Sequence, residues 1–138
     1  MVKTDEIKLN STGPGDLIDI TSAISEAVEN SGINSGIVTV FISGSTAGLT
    51  TLEYEPGLVK DFPELMEQLV PSNRAYQHDH TWHDGNGFSH LRSALIGTSL
   101  TIPFVKGKLL LGQWQQATFC EFDNRSRSRK VVFQIIGE

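Results

Sequence analysis

The sequence predicts an α+β fold, a single domain (residues 1–138) with a mostly antiparallel β-sheet and two or three helices. Helical and extended patterns alternate in the first half of the chain, whereas extended patterns dominate after residue 98. A length of 138 residues is that of one ordinary domain. No internal repeat or low-complexity linker divides the chain. An alternating first half followed by a run of strands is typical of α+β proteins.

The first half of the chain predicts a strand, a helix and a central strand. Residues 2–9 alternate weakly between polar and apolar positions, as strands do. A helix follows, with Asp19 or Thr21 as its N-terminal cap and Gly32 as its left-handed end. Residues 37–42 are almost continuously apolar and β-branched, which predicts a central strand that is covered on both faces.

The second half predicts two more helices and five more strands. A helix that begins near Asp61 places Pro63 in its first turn, where a missing N–H is tolerated. A short helix over residues 89–95 closes at Gly97. The remaining extended patterns predict strands over residues 49–54, 99–105, 108–114, 116–123 and 130–136. The last four are predicted to pair as two hairpins, 99–105 with 108–114 and 116–123 with 130–136.

Composition excludes several classes of function. The formal net charge of −5 is the reverse of the balance that a general nucleic-acid binder shows, so we expect no nucleic-acid partner. No apolar run approaches the roughly 20 residues of a membrane span, and no signal peptide is visible, which favours a cytoplasmic protein without a membrane partner. The single cysteine, Cys120, lies in a strand pattern and is interpreted as a small packed residue.

All four histidines fall in one short segment: His78, His80, His83 and His90. Neutral imidazole is the commonest ligand for transition metals and also titrates near neutral pH, so the cluster predicts either a metal site or an acid–base site. His78 and His80 would share a face if the segment were extended. The spacing matches no standard zinc motif, and a solvated polar cluster that binds nothing remains the alternative.

The later part of the chain closely resembles the signature of the YjbQ-type family. Residues 99–116 combine alternating apolar positions, a glycine turn and the run Gly112-Gln113-Trp114-Gln115, where the family usually has Gly-Thr-Trp-Gln. The similarity continues through residues 121–123 and an arginine-rich turn to the last strand. His78, Asn86, Ser89 and His90 match the family's Tyr-x-His and Asn-x-x-Ser-His positions.

This resemblance implies an α+β homotrimer. It also implies an activity of the kind labelled secondary thiamine-phosphate synthase, which joins a pyrimidine pyrophosphate to a thiazole phosphate. Many members carry His-Thr-Thr-Ala after the central strand, and here Gly44 stands at the histidine position. Glu53 matches a glutamate of the family that follows this motif. Because this chain has additional histidines, we hypothesise that His80 or His83 replaces the missing one.

The sequence therefore favours an enzyme of small-molecule metabolism, with a phosphorylated heterocycle as its ligand. A non-catalytic homotrimer that binds a metal or a metabolite is the alternative. A divalent metal, most simply zinc, would be bound by His78, His83 and His90, with His80 as an alternate. The candidate catalytic residues are Glu53, Asp84 and Asn86. The candidate substrate-binding residues are Ser45, Thr46, Trp114, Gln115 and Arg127.

Overall fold

The computed structural model describes residues 1–138 and contains eight strands and four helices. The strands are β1 (Val2–Asn10), β2 (Leu17–Asp19), β3 (Ser35–Ile42), β4 (Ala47–Leu52), β5 (Ser99–Val105), β6 (Lys108–Leu109), β7 (Gln116–Glu121) and β8 (Ser128–Gly137). The helices are α1 (Thr21–Ser31), α2 (Pro56–Leu69), α3 (Gln77–Trp82) and α4 (Gly87–Ile96). The mostly antiparallel α+β class is confirmed, with one helix more than expected.

The strands form two antiparallel sheets. One sheet has five strands in the order β1-β8-β3-β5-β6, and the other has three in the order β2-β7-β4. The main core is formed by the inward side chains of both sheets together with α1, including Val38, Phe133, Phe119 and Ile24. Cys120 is fully buried in β7, and burial raises the pKa of its thiol to about 12, as expected for a packed residue.

The predicted second hairpin is wrong, because β7 and β8 belong to different sheets. β7 pairs with β2 and β4, whereas β8 pairs with β1 and β3. The segment after Glu121 therefore crosses from one sheet to the other instead of making a tight turn. The first hairpin is real but short, because β6 ends at Leu109 and residues 110–115 are not extended strand.

Within the single chain, the prediction that the central strand is covered on both faces is wrong. In β3, Val38 and Val40 are fully buried, while Ile37 and Phe41 on the opposite face are 42% and 44% exposed. Successive strand residues point to opposite faces, and no other element of the chain lies over the second one. The continuous apolar pattern of β3 therefore leaves an uncovered apolar surface.

The start of the second helix is corrected by local hydrogen bonding. α2 begins at Pro56, not near Asp61, because the Glu55 carboxylate caps it by accepting the N–H groups of Gly57 and Leu58. Pro63 consequently lies inside the helix. The segment around His78, for which no helix was predicted, forms α3. Every helix is too short or too polar to cross a membrane.

Candidate functional site

Two consecutive helices bring His78 and His90 together. His78 lies in α3 and His90 lies in α4, and the centroids of their rings are 4.3 Å apart with planes tilted by 39°. The chain reverses between the helices at His83 and Gly85, whose φ values of 59° and 68° are left-handed. Two imidazoles that are twelve residues apart in sequence therefore form one pair.

The Asp79 carboxylate joins these two helices. Its Oδ2 accepts the N–H of Tyr76 at 2.9 Å, and its Oδ1 accepts the N–H of Gly87 at 2.9 Å. These bonds, that from Tyr76 first, hold the pKa of Asp79 below its ordinary value. A Cβ at position 87 would approach the Tyr76 Cβ to 2.7 Å, so the close approach requires glycine. Asp79 therefore positions the histidine pair.

His78 Nδ1 is buried and has no hydrogen-bond partner. The nearest carboxylate oxygen, Asp84 Oδ1, is 3.6 Å away, which is too long for a hydrogen bond. The Asn86 amide, with its nitrogen toward Asp84, donates to both carboxylate oxygens at 2.8 and 3.2 Å. Asn124 also donates to the Asp84 main-chain carbonyl at 2.9 Å. Asp84 is thus held close to an imidazole nitrogen that lacks a partner.

The pKa of His90 is lowered from its ordinary value. Burial is the main cause, and the neighbouring His78 adds to it, whereas the carboxylates of Asp84 and Asp123 oppose it. Since unperturbed histidine titrates at about 6.5, a lowered pKa leaves His90 neutral at pH 7. A neutral imidazole has a lone pair with which to accept a proton or bind a metal.

We expect His90 to titrate below its ordinary pKa in metal-free protein, as measured by NMR of the imidazole protons. In His78→Gln the pKa of His90 should rise, because the interaction with His78 that lowers it is lost. In Asp84→Asn it should fall further, because a stabilising carboxylate is lost. The wild-type protein, measured under the same conditions, serves as the reference. An unchanged His90 titration in both variants would contradict this electrostatic coupling.

His90 borders two separate cavities. The first has a volume of about 320 Å³ and is lined mainly by Tyr76, His78, Leu91 and their neighbours. The second has a volume of about 330 Å³ and is lined by Gly44, Ser45 and residues around the end of α4. Because one imidazole lies on both walls, groups of a ligand in either cavity can contact it.

Beside the second cavity lies a buried network of charges. Glu121 and Asp123 are fully buried, and each accepts hydrogen bonds from an arginine: Arg129 donates to Glu121, and Arg127 donates to Asp123 at 2.6 Å. Thr46 connects the two pairs, because its hydroxyl donates to Asp123 and accepts from Arg129. Burial raises the pKa of Asp123, but the bonds from Arg127, Asn124 and Thr46 outweigh it and lower the pKa overall.

The structure brings some of the predicted site residues together. His78, His90, Asp84 and Asn86 form one cluster, and Ser45 lies across the second cavity. Thr46 and Arg127 belong to the adjoining charge network.

The other predicted residues lie apart from the histidine pair. His80 and His83 are exposed, as is Glu53. Trp114 is 66% exposed and does not pack in the core. Gln115 is exposed and bonds to Thr51 and Gly112 instead of lining the histidine cavity.

The position next to Gly44 is occupied by an arginine. A Cβ on Gly44 would lie 3.0 Å from Arg129 Nη1, and neither His80 nor His83 lines the cavity there. The sequence placed Arg129 only within an arginine-rich turn, and Glu121 only among the residues that resemble the family. The signal that could have found them is the run Cys120-Glu121-Phe122, in which an acidic residue interrupts a buried apolar pattern and therefore needs a buried cation.

The family model and the related sequences that match this chain all belong to one protein family. The model of the YjbQ-like UPF0047 protein family matches residues 5–138. A UPF0047 protein from Methanothermobacter thermautotrophicus is 38% identical over 137 residues, covering 99% of this chain and 94% of the relative. UPF0047 protein YugU from Bacillus subtilis is 32% identical over 139 residues, covering 99% of this chain and all of YugU.

Solved structures agree. The crystal structure of a YbjQ-like protein of unknown function from Sulfolobus solfataricus matches with a TM-score of 0.93 and 32% identity, covering 100% of this chain and 99% of that one. A hypothetical protein from Aeropyrum pernix matches with a TM-score of 0.90 and 31% identity, covering 99% of both chains. Sequence and fold agree over nearly the whole length, and the chain belongs to the YjbQ-like UPF0047 family.

Proposed function

We propose that this protein is an enzyme of small-molecule metabolism whose reaction centre comprises His78, His90 and Asp84, with a divalent metal held at His78 and Asp84. The observation that carries the proposal is the buried His78 Nδ1, which has no partner and lies 3.6 Å from Asp84 Oδ1. A buried polar atom without a partner costs free energy, and a bound cation would remove that cost.

The separation of these two atoms fits a shared ion. Two ligands at about 2.1 Å from a tetrahedral zinc ion lie roughly 3.4 Å apart. Together with Asp79, the two residues offer ligand atoms within 4.8 Å of one another. Asp79 already accepts two backbone N–H bonds, so it is a weaker candidate ligand than Asp84. The Asn86 amide orients the Asp84 carboxylate, as outer partners of metal ligands do.

The small number of protein ligands favours catalysis over storage. Structural zinc sites use four protein ligands, whereas catalytic sites leave a position open for water or substrate. The group of His78, Asp79 and Asp84 offers three candidate ligands, and the neutral His90 lies beside them with a lone pair suited to accept a proton. A non-catalytic metal-binding protein is the second candidate, favoured only if a neighbouring subunit completes the ligand set.

Metal content measured on untagged protein after incubation with zinc at neutral pH tests the proposal. We expect about one ion per chain in the wild type. In His78→Ala the affinity should fall by more than the roughly 10–100-fold that loss of an outer partner costs, and Asp84→Asn should also weaken it. His83→Ala is the matched control, because it removes an exposed histidine of the same segment. Absence of zinc from the wild type, or equal binding in His78→Ala, would refute the metal site.

The substrate class follows the family resemblance. We propose phosphorylated heterocycles and, as the first reaction to assay, the joining of a pyrimidine pyrophosphate to a thiazole phosphate. The nearby Arg127 and Arg129 support an anionic substrate, since guanidinium groups match phosphate oxygens. Turnover that requires both the metal and His90 would support this reaction. Turnover that persists in His90→Gln would count against a role for His90.

We also propose that the chain assembles as a homotrimer through the outer face of the five-stranded sheet. Strand register places Ile136, Ile37 and Pro103 in one row, and Val132 and Phe41 in another. An exposed apolar surface of adjacent strands is typical of an interface between proteins. The apolar outer face supports association with a second copy, and the family resemblance supports three copies.

A further inference from the structure

We infer that the cavity between Gly44 and the end of α4 is an anion subsite that binds the phosphate group of a small-molecule substrate, with Arg129 as its principal donor. This deepens the proposed function and rests on it, because the subsite shares His90 with the proposed reaction centre.

One nitrogen of the Arg129 guanidinium has no hydrogen-bond partner within the chain. Its side chain is only 9% exposed, and Nε and Nη2 donate to the buried Glu121 and to Thr46. Nη1 makes no hydrogen bond within the chain. This nitrogen lies 3.0 Å from where a Gly44 Cβ would stand, and Gly44 lines the cavity. A guanidinium held from one side by a carboxylate can still donate to a second acceptor.

The remaining walls of the cavity suit an anion. None of its seven lining residues is acidic. Ser45 contributes an exposed hydroxyl and a backbone N–H, neither of which has a hydrogen-bond partner within the chain. His90 stands at the same cavity and can add an N–H donor. A phosphate group in this space could therefore accept bonds from Arg129, Ser45 and His90.

The absence of a side chain at position 44 keeps the subsite open. Any Cβ there would press against Arg129 Nη1 and cover it. The backbone of Gly44 is not in the left-handed region, so a larger residue would fill the cavity without straining the main chain. Gly44→Val should therefore block access to Arg129 Nη1 while it leaves the buried ion pair between Arg129 and Glu121 intact.

The test is calorimetric titration of the full-length protein with inorganic phosphate. We expect the wild type to bind, and Gly44→Val to bind about tenfold more weakly or worse, the order of effect of losing one charge-assisted hydrogen bond. Arg129→Lys should weaken binding similarly, because it keeps a cation for Glu121 but removes Nη1. Arg125→Gln is the matched control and should bind as the wild type does. Arg125 is exposed and, unlike Arg129, has no atom within 4 Å of where a Gly44 Cβ would stand.

Three results would overturn the subsite: no phosphate binding by the wild type, equal binding by Gly44→Val, or equal loss in Arg125→Gln, which would indicate nonspecific attraction. His78→Ala distinguishes this inference from the proposed function. It should lose zinc but keep phosphate binding. Phosphate binding without any zinc site would leave the subsite standing and refute the metal proposal. Zinc binding without phosphate binding would refute the subsite and leave the metal proposal standing.

Discussion

Glu121→Ala should lower the free energy of unfolding by about 3–5 kcal/mol, the cost of breaking a buried ion pair from one side. Glu121 is fully buried, and its carboxylate accepts from Arg129 and from the Ser11 hydroxyl. Removing it leaves the guanidinium of Arg129, whose side chain is only 9% exposed, without this counter-charge. Urea unfolding followed by circular dichroism measures the loss.

An exposed ion pair provides the control for this prediction. Lys130 Nζ lies 3.3 Å from Glu6 Oε2, and both side chains are about half exposed. Lys130→Ala should change the free energy of unfolding by only about 0–1 kcal/mol, since water screens exposed pairs. Equal effects of the two substitutions would show that Glu121 and Arg129 do not interact as the structure places them.

Phe41→Glu should dissociate the proposed homotrimer into single chains. Phe41 is 44% exposed in the isolated chain and lies on the outer face beside Val132. A carboxylate buried in an apolar interface without a partner costs several kcal/mol, enough to break a modest association. Light scattering should find three times the chain mass of 15.1 kDa for the wild type and one chain mass for the variant.

Ser22→Glu is the matched control, because it adds the same charge at an exposed position of α1, outside the five-stranded sheet. It should leave the mass unchanged. A monomeric wild type would refute the assembly, and a trimeric Phe41→Glu would place the interface elsewhere. A folded monomer is expected, because Phe41 points away from the core that Val38 and Val40 form.

Much of the secondary structure could be predicted from local chemistry. β1, β3, β5, α1 and α4 lie close to their predicted bounds, because apolar period and flanking glycines are local signals. Gly32 ends α1 in the left-handed conformation, as its position predicted. The start of α2 was misplaced because the Glu55 cap competes with the equally plausible signal at Asp61.

The candidate site was predicted only in part, and the reason is geometric. In an extended chain His78 and His80 would share a face. In the helix α3, positions two apart in sequence are separated by roughly 200° around the axis, so these two side chains point in nearly opposite directions. His83, which caps the end of α3, is exposed. His90 joins His78 only because the chain reverses at Gly85 and Asp79 joins the two helices.

The sequence by itself determined the fold class, the family and the segment that holds the histidines, because apolar periodicity and residue identity are written along the chain. Only the tertiary structure decided which groups meet: His78 with His90 and Asp84, and Arg129 with Glu121 beside Gly44. Contacts between residues far apart in sequence depend on how the strands are divided between the sheets. β7 and β8, for example, belong to different sheets. Pairing of this kind is set by the burial of the whole chain, which no local pattern specifies.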